Sequence, residues 1–389
     1  MMPADMQNDW LLTINCGSTS IKFACFDAAS LAVLAMGSIR DFPARPQFRV
    51  KHGPPHAPGS DISSLESAIG TILAYASTAA GGRPKAIGHR IVHGGKRERP
   101  ALIDAALLDE MRALQPLAPL HQPACVAAAA LGLAALPSVP NIALFDTAFH
   151  RTMPEIERRL PLPQAFAAKG MERFGFHGLS FQSVATRLRA RFAADAGGRV
   201  VAAHLGGGSS LCAMVDGKSN ATTMGMTPAG GVPMTTRSGD LDPGIVLALV
   251  RELGVDGAED VLNRQSGLYG LSGRSDDAMA LLAANDDAGR LALAIHVRRI
   301  AQAIAAMATA MGGIDTLVFT GGIGANAPEL RRMIVEACAW MGLSLDGHAN
   351  AHGDERLESA ASTARILKLK TGEEEIMASE MQAMLSQAS

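Results

Sequence analysis

The chain has 389 residues and a net charge of −2, from 35 Lys and Arg against 37 Asp and Glu. This length predicts two or three domains with a large core, and the balanced charge argues against a surface that binds a polyanion. The five cysteines are widely spaced and include no C-x-x-C pair. Neither a disulfide framework nor a zinc site is therefore indicated, and a reducing cytoplasm fits best.

No segment has the pattern of a membrane anchor or of an export signal. The most apolar stretch, residues 124–145, is interrupted by Pro137, Ser138 and Pro140, and it predicts a helix of small residues followed by a short strand. The N-terminus lacks a basic segment, so we expect no secretory peptide.

The strand pattern of the N-terminal half returns near residue 200. Short apolar runs predict strands at residues 10–15, 21–26 and 31–39, and again at 199–204, 211–215 and 219–224. The first joint of each half is rich in Gly and Ser, as CGSTS at residues 16–20 and LGGGSS at residues 205–210. Asp216 and Gly217 predict a hairpin turn.

Each half then continues with a strand that ends near a double glycine, at residues 87–92 and 316–319, and with a last strand at residues 141–145 and 365–369. Two duplicated β-β-β-α-β-α-β domains of an α/β fold are the simplest account. Two Gly/Ser hairpins at equivalent places predict a cleft where backbone N–H groups face one polyphosphate. For either hairpin alone, a tight turn without a ligand is the preferred interpretation.

Other nucleotide-binding motifs fit poorly. Gly217, Lys218 and Ser219 resemble the end of a P-loop, but Cys212 stands where that motif needs a glycine. No G-x-G-x-x-G sequence follows a predicted strand and opens a helix, so a dinucleotide site is also disfavoured.

Side chains able to carry chemistry occur in four segments that we predict at strand ends: residues 88–95, 144–150, 173–178 and 235–240. Taken singly, each has a structural explanation. Arg90 and Arg237 suit surface ion pairs, Asp146 suits a helix N-cap, and His177 suits a core position.

Together these segments resemble the acetate kinase family, over nearly the whole chain. Five ordered blocks carry the resemblance: residues 15–22, 173–180, 224–243 (MGMTPAGGVPMTTRSGDLDP), 319–324 (FTGGIG) and 371–380. The family belongs to the superfamily of actin, sugar kinases and heat-shock chaperones. The resemblance implies an actin-like ATPase fold, in which two ribonuclease-H-like halves hold a nucleotide in the cleft between them.

The resemblance implies that the γ-phosphoryl group of ATP passes to a short carboxylate, with Mg²⁺, or alternatively Mn²⁺, giving ADP and an acyl phosphate. A carboxylate is ionised at neutral pH, so the reaction needs charge neutralisation more than a strong base. Arginine grips carboxylate or phosphoryl oxygens in a bidentate way. By resemblance, Arg90 holds the acyl carboxylate, while Arg237 and His177 stabilise the transferred phosphoryl group. Asp146 has the family's acid/base label, but we expect it to orient Mg²⁺ or its water.

The resemblance also implies the remaining contacts. Asn15 and Glu373 are the expected metal-side residues, with Glu374 as the rival and a plain helical first turn as the alternative. The acyl site is expected to use an apolar wall and one histidine: Val92, Leu120, Phe176, Pro228 and His121. The expected nucleotide contacts are Ser18, Ser20, Lys22, His204, Leu205, Gly206, Gly207, Gly208, Asp277, Ala278, Met279, Gly322, Ile323, Gly324, Ala325 and Asn326.

Three nucleotide positions depart from the family pattern. Gly207 replaces the usual Asn, Ala325 replaces a Glu, and Met279 replaces the Arg expected against the adenine. These departures predict relaxed selectivity for the nucleotide base. An acyl kinase for propionate or butyrate, or one with another phosphoryl donor, is the first alternative function. A nucleotide-gated binding protein of the actin or chaperone kind is the second, and it would not need the arginine pair.

We expect a cytoplasmic enzyme of two domains, residues 1–148 with the segment 372–389 folded back onto them, and residues 149–371. The resemblance implies a homodimer through the second domain. Because we expect both catalytic arginines to face an open cleft, their replacement should change stability little.

Overall fold

The computed structural model describes residues 9–17, 20–55, 62–193, 198–284 and 286–388. The chain divides into two compact units: unit 1 is Met1–Ala148 with Gly372–Ser389, and unit 2 is Phe149–Thr371. Ser18, an expected nucleotide contact, lies outside the described residues.

Strands and helices alternate along the described residues. The strands are β1 (Trp10–Cys16), β2 (Ser20–Asp27), β3 (Val33–Arg40), β4 (Gln47–His52), β5 (Ala86–Ile91), β6 (Ala101–Leu102), β7 (Asn141–Phe145), β8 (Arg199–Leu205), β9 (Ser209–Val215), β10 (Lys218–Thr222), β11 (Thr316–Thr320) and β12 (Arg365–Lys368). The helices are α1 (Leu65–Ala80), α2 (Ala105–Ala113), α3 (Gln122–Ala135), α4 (Glu155–Arg158), α5 (Gln164–Ala168), α6 (Gly178–Arg191), α7 (Pro243–Arg264), α8 (Gly267–Ser272), α9 (Ala278–Ala284), α10 (Asp287–Met311), α11 (Gly321–Asn326), α12 (Pro328–Ala337), α13 (Gly347–His352) and α14 (Glu373–Ala388).

The two sheets are built on one plan. Within the described residues, the strand order is β4-β3-β2-β1-β5-β7-β6 in unit 1 and β10-β9-β8-β11-β12 in unit 2. Each sheet has an antiparallel run of strands followed by parallel pairing, through β1, β5 and β7 or through β8, β11 and β12. The predicted α/β fold with duplicated halves is thus confirmed. The edge strands β4 and β6 were not predicted.

Helices cover both faces of the unit 1 sheet, which explains why β1 is buried along its whole length. On one face, α1 and α3 enclose an apolar cluster that includes Trp10, Phe23 and Ile72. On the other face lies α14, packed against β1, β2 and β5. This packing brings Glu373, at the start of α14, beside the end of β1.

The core helix of unit 2 is α10, which packs against β8, β9 and β10. By length and composition α10 passes as a membrane-spanning helix, but half of its most apolar window is buried within the unit. Ile300 and Ile304 are fully buried against the sheet, as in the core helix of a globular domain.

Two of the four segments whose side chains are able to carry chemistry do not lie at strand ends. The prediction of a strand end was therefore wrong for residues 173–178 and 235–240. Residues 173–178 lead into α6, where positive φ angles at Gly175 and His177 rule out an extended strand. Residues 235–240 form a loop whose backbone hydrogen bonds go to helical and loop residues, as from Ser238 N to Leu262 O and from Asp240 N to Gly231 O.

Candidate active site

In unit 1, Arg90 and Asp146 come from two adjacent parallel strands. Arg90 lies one residue before the end of β5, and Asp146 directly follows β7. Nε and Nη2 of Arg90 donate to Oδ2 of Asp146 at 3.1 and 2.6 Å, and Nη1 donates to Oδ1 of Asn15 at 3.0 Å. Two residues, Asn15 in β1 and Asp146 directly after β7, therefore hold the guanidinium group of Arg90.

Arg90 keeps its charge although it is largely buried. Burial alone would lower its pKa, but the carboxylates of Asp146 and Glu373 hold the pKa of Arg90 above its ordinary value. The group is therefore a permanent cation with a fixed plane. The expectation that Arg90 faces an open cleft is wrong, because it is ion-paired with Asp146, which is 1% exposed.

The first turn of α14 brings two more carboxylates, those of Glu373 and Glu374, to the same place. Nδ2 of Asn15 donates to Oε2 of Glu373 at 2.9 Å and to Oε1 of Glu374 at 3.4 Å. Burial, together with the charge of Glu373, raises the pKa of Glu374, while Lys22 acts in the opposite direction. These glutamates open α14, and Asn15, a predicted metal-side residue, donates to both of them.

These residues fit a divalent metal ion. Carboxylate and amide oxygens are the ligands that Mg²⁺ takes, and a cation would relieve the repulsion that raises the pKa of Glu374. In the described part of the chain, no three His, Cys, Asp or Glu side chains are grouped as a metal cage.

Unit 1 also holds three of the predicted acyl-site residues. Val92 is buried just past β5, while Leu120 and His121 precede α3. A reciprocal pair of 2.9 Å bonds connects these two regions: His93 N donates to Gln122 Oε1, and Gln122 Nε2 donates to His93 O. The other two predicted wall residues, Phe176 and Pro228, are buried in unit 2.

In unit 2, the loop Gly206, Gly207 and Gly208 follows β8. A Cβ atom on Gly208 would lie 3.2 Å from the His177 ring and 3.6 Å from Nη1 of Arg237. A side chain there would therefore crowd the His177 ring and contact Arg237. Thr235 Oγ1 donates to Gly207 O at 3.1 Å, which ties the glycine loop to the segment that carries Arg237.

The histidine ring beside this loop is fixed by polar contacts. Nδ1 of His177 lies 2.9 Å from Ser210 Oγ, and its ring stacks on that of His204 at 4.3 Å. Nδ1 of His204 lies 2.7 Å from Ser180 Oγ. The sequence analysis missed Ser180 and Ser210, although both stand within segments that it singled out.

Arg237 is 7% exposed and donates from Nη1 to the carbonyl of Pro228 at 3.1 Å. Burial lowers its pKa to about 10, so the side chain is still a cation at neutral pH. A buried cation beside a glycine-rich loop is suited to oxygens of a phosphoryl group.

The predicted nucleotide contacts at residues 322–326 lie in α11, next to the glycine loop. Gly321 has φ of 79°, and a Cβ atom there would lie 2.5 Å from Leu205 O, so only glycine fits this approach. A Cβ atom on Gly206 would lie 3.8 Å from Gly322 N. The structure thus brings the glycine loop and α11, which hold two groups of predicted nucleotide contacts, together in unit 2.

The remaining nucleotide-side residues lie in or near short helices. Asp277 caps α9 by accepting from Met279 N at 2.8 Å, and Met279 is 47% exposed. Ile323, Gly324, Ala325 and Asn326 lie in α11. The sequence analysis missed Arg331, a buried guanidinium that donates to the carbonyls of Gly324 and Ala325. An arginine in an ordinary helical pattern carries no sequence signal for this role.

Comparison with known proteins identifies the family. The profile described as "Acetokinase family" matches residues 10–379. An acetate kinase from Rhodopseudomonas palustris is 40% identical over 390 residues, covering 95% of this chain and 97% of its own. One from Rhizobium meliloti is 39% identical, covering 97% of this chain and 99% of its own.

Two solved structures agree with this family. A propionate kinase from Francisella tularensis has a TM-score of 0.87 at 33% identity, covering 96% of this chain and 98% of its own. The acetate kinase of Porphyromonas gingivalis has a TM-score of 0.82 at 31% identity, covering 97% of this chain and all of its own. The chain therefore belongs to the acetokinase family, and with it to the kinases that phosphorylate a carboxyl group.

Proposed function

We propose that this chain transfers the γ-phosphoryl group of ATP to acetate, giving ADP and acetyl phosphate by direct, reversible in-line transfer. The main support is the arrangement around Gly208, where a buried arginine and a fixed histidine ring flank a glycine loop. Trapping of acyl phosphate with hydroxylamine, in the presence of ATP, Mg²⁺ and acetate, tests the activity. No acetyl hydroxamate above the no-enzyme control would contradict it.

Arg90 receives the acetate carboxylate in this proposal. The acceptor is already ionised at neutral pH, so the site must supply a cation and a fixed approach direction. We expected Asp146 to orient Mg²⁺ or its water, but in this structure its carboxylate accepts hydrogen bonds from Arg90. We therefore assign Asp146 to holding the guanidinium plane, with no proton transfer required of it.

Arg237 and His177 stabilise the transferred group. The phosphoryl oxygens carry the charge of the transition state, and buried donors aimed at these oxygens are worth the most where water is excluded. With Nδ1 of His177 bonded to Ser210 Oγ, Nε2 is the atom that donates to a phosphoryl oxygen. The Gly206, Gly207 and Gly208 N–H groups, together with His204, bind the remaining phosphate oxygens.

Asn15, Glu373 and Glu374 would hold Mg²⁺, which neutralises phosphate charge when it is bound. The assignment is supported by the neighbouring carboxylates of the buried Glu373 and the partly buried Glu374, and by the raised pKa of Glu374. Lys22, close enough to lower that pKa, is the remaining phosphate-side cation of unit 1. Mn²⁺ prefers similar oxygen ligands and is the alternative ion.

Propionate is the second candidate acceptor. The similar structure of a propionate kinase supports it, and one methylene in an apolar pocket is worth only about 1–3 kcal/mol. Initial rates over a grid of acetate, propionate and butyrate, each with several nucleotides and pyrophosphate, rank the acceptors and donors. If acetate is the preferred acceptor, its kcat/KM should be the highest among the three acids.

We also propose a cytoplasmic homodimer that forms through unit 2. Only Ala258 of α7, which kinks at Gly254, is buried, yet Ile245, Leu247, Leu253 and Val255 on α7 are exposed apolar side chains. Exposed apolar side chains in such number are typical of an interface with another protein. All five cysteines are free and buried, which suits a reducing compartment.

A further inference from the structure

His150 is a buried histidine that no step of the proposed reaction uses. It belongs to the 3₁₀ turn Ala148–Thr152 and is fully buried in unit 2. Nε2 of His150 lies 2.9 Å from the carbonyl oxygen of Phe176, and Nδ1 lies 2.8 Å from Oγ of Ser219. Because a carbonyl only accepts, Nε2 carries the proton, and Nδ1 accepts from the Ser219 hydroxyl.

The ring of His150 is packed between two aromatic rings and the backbone of Gly175. Phe149 and Phe181 pack edge-on against it, with ring centroids 5.6 and 5.7 Å away. A Cβ atom on Gly175 would lie 2.7 Å from His150 Cδ2, so the backbone of residue 175 lies directly against the ring. Burial lowers the pKa of His150 to about 4, so the ring is neutral and keeps one tautomer at neutral pH.

The carbonyl that His150 binds belongs to the peptide just before His177. His177 has φ of 58° and ψ of 27°, a left-handed backbone that a residue with a side chain rarely adopts. Gly175, two residues earlier, has φ of 76°. Such a turn persists only where the surrounding structure holds it, and the His150 bond holds its central carbonyl.

We propose that His150 is a positioning residue for the kinase reaction: its Nε2–H fixes the Phe176 carbonyl, and thereby the backbone from which His177 reaches the glycine loop. This inference rests on the proposed role of His177. The conformation sets the direction of the His177 ring, which Ser210 then locks through Nδ1. His150 touches neither the glycine loop nor any substrate in this account.

Four variants test the proposal. In His150→Gln, the side-chain amide reaches the position of Nε2 and still donates to Phe176. In His150→Asn, the amide is too short to reach that carbonyl, and His150→Phe fills the space without any donor. Leu188→Ala is the control for lost core packing, because Leu188 is a buried residue of α6 in an apolar cluster and is not among the predicted site residues.

We expect His150→Phe to lower kcat by roughly 10- to 100-fold, the scale of a small misplacement of a catalytic group, with both KM values changed little. His150→Gln should recover most of kcat, and His150→Asn should not. Leu188→Ala should lower the melting temperature but keep kcat per folded molecule. If His150→Phe fails to fold, the difference in kcat between His150→Gln and His150→Asn still tests the positioning role.

Equal kcat values for the Gln and Asn variants, or a normal kcat for His150→Phe, would overturn the positioning role. Failure of the proposed function looks different. In that case the wild-type chain makes no acetyl phosphate, or His177→Ala keeps its turnover. A kcat loss in His150→Phe that merely follows the melting temperature, as in Leu188→Ala, would also overturn the proposal.

Discussion

Oδ2 of Asp146 accepts two hydrogen bonds from the guanidinium of Arg90, at 3.1 and 2.6 Å. The carboxylate is buried and the guanidinium is mostly so, so this pair has a structural role beside the catalytic one proposed for Arg90. Breaking a buried pair by removing one partner costs about 3–5 kcal/mol. Any mutational test of Arg90 must therefore separate activity from folding.

Arg90→Ala and Arg237→Ala should each lower kcat by a factor of about 10² to 10⁴, comparable to losing an arginine finger or a transition-state donor. Rates from the hydroxylamine assay should be normalised to the folded fraction from thermal melts. Arg90→Lys keeps the charge but loses the two-pronged geometry, so it should fold better than Arg90→Ala yet recover little activity. Near-normal turnover of either alanine variant would remove that arginine from the mechanism.

Glu373→Ala should raise the Mg²⁺ concentration needed for half-maximal activity, whereas Glu374→Ala should not, if Glu373 is the main metal-side carboxylate. Titration of activity with Mg²⁺ at saturating ATP measures both. The reverse ranking would transfer the role to Glu374, and no change in either would leave the glutamates as the first turn of α14 only.

Without metal, stability should fall as pH rises above the ordinary Glu pKa of 4.5, because the folded chain holds the Glu374 proton to a higher pH than the unfolded chain does. This part of the pH dependence should disappear in Glu374→Gln. Added Mg²⁺ should restore stability to the wild type by binding the ionised pair. Denaturant melts in EDTA across the pH range test this, and identical pH slopes for wild type and Glu374→Gln would contradict it.

The nucleotide base should be weakly selected. An arginine stacked on adenine contributes roughly 0.5–2 kcal/mol, whereas Met279 offers only an adaptable apolar contact. We expect GTP or ITP to be used within about tenfold of ATP in kcat/KM, equivalent to ~1.4 kcal/mol. Met279→Arg should lower the KM for ATP and leave that for acetate nearly unchanged. A much stronger preference for ATP would show that another residue selects the base.

Ile245→Lys and Val255→Lys should convert a dimer to a monomer, because each places a charge among the exposed apolar side chains of α7. Light scattering with size-exclusion chromatography gives the mass directly. Ile156→Lys is the matched control. Ile156 is an equally apolar side chain that is 85% exposed, and it is not part of α7. A monomeric wild type would contradict the proposed homodimer.

The sequence alone determined most of the strand pattern, although not the edge strands β4 and β6, together with the duplication, the family and the enzyme class. Residues 10–15 and 141–145 were recognisable as strands because buried strands are short apolar runs between turn residues, and the structure has Trp10–Cys16 and Asn141–Phe145. The family followed from glycine loops and charged motifs that are local in sequence. Local patterns of this kind can be recognised without any tertiary contact.

Only the tertiary structure decided which side chains meet. Asn15 and Glu373 are separated by 358 residues and share a 2.9 Å bond, a contact created by the packing of α14 on β1. The bond between His150 and the Phe176 carbonyl depends likewise on a turn, a strand and a helix start that converge. Sequence periodicity reports burial and local conformation, whereas pairs of this kind depend on how elements distant in the chain pack, and so they carry no periodic signal.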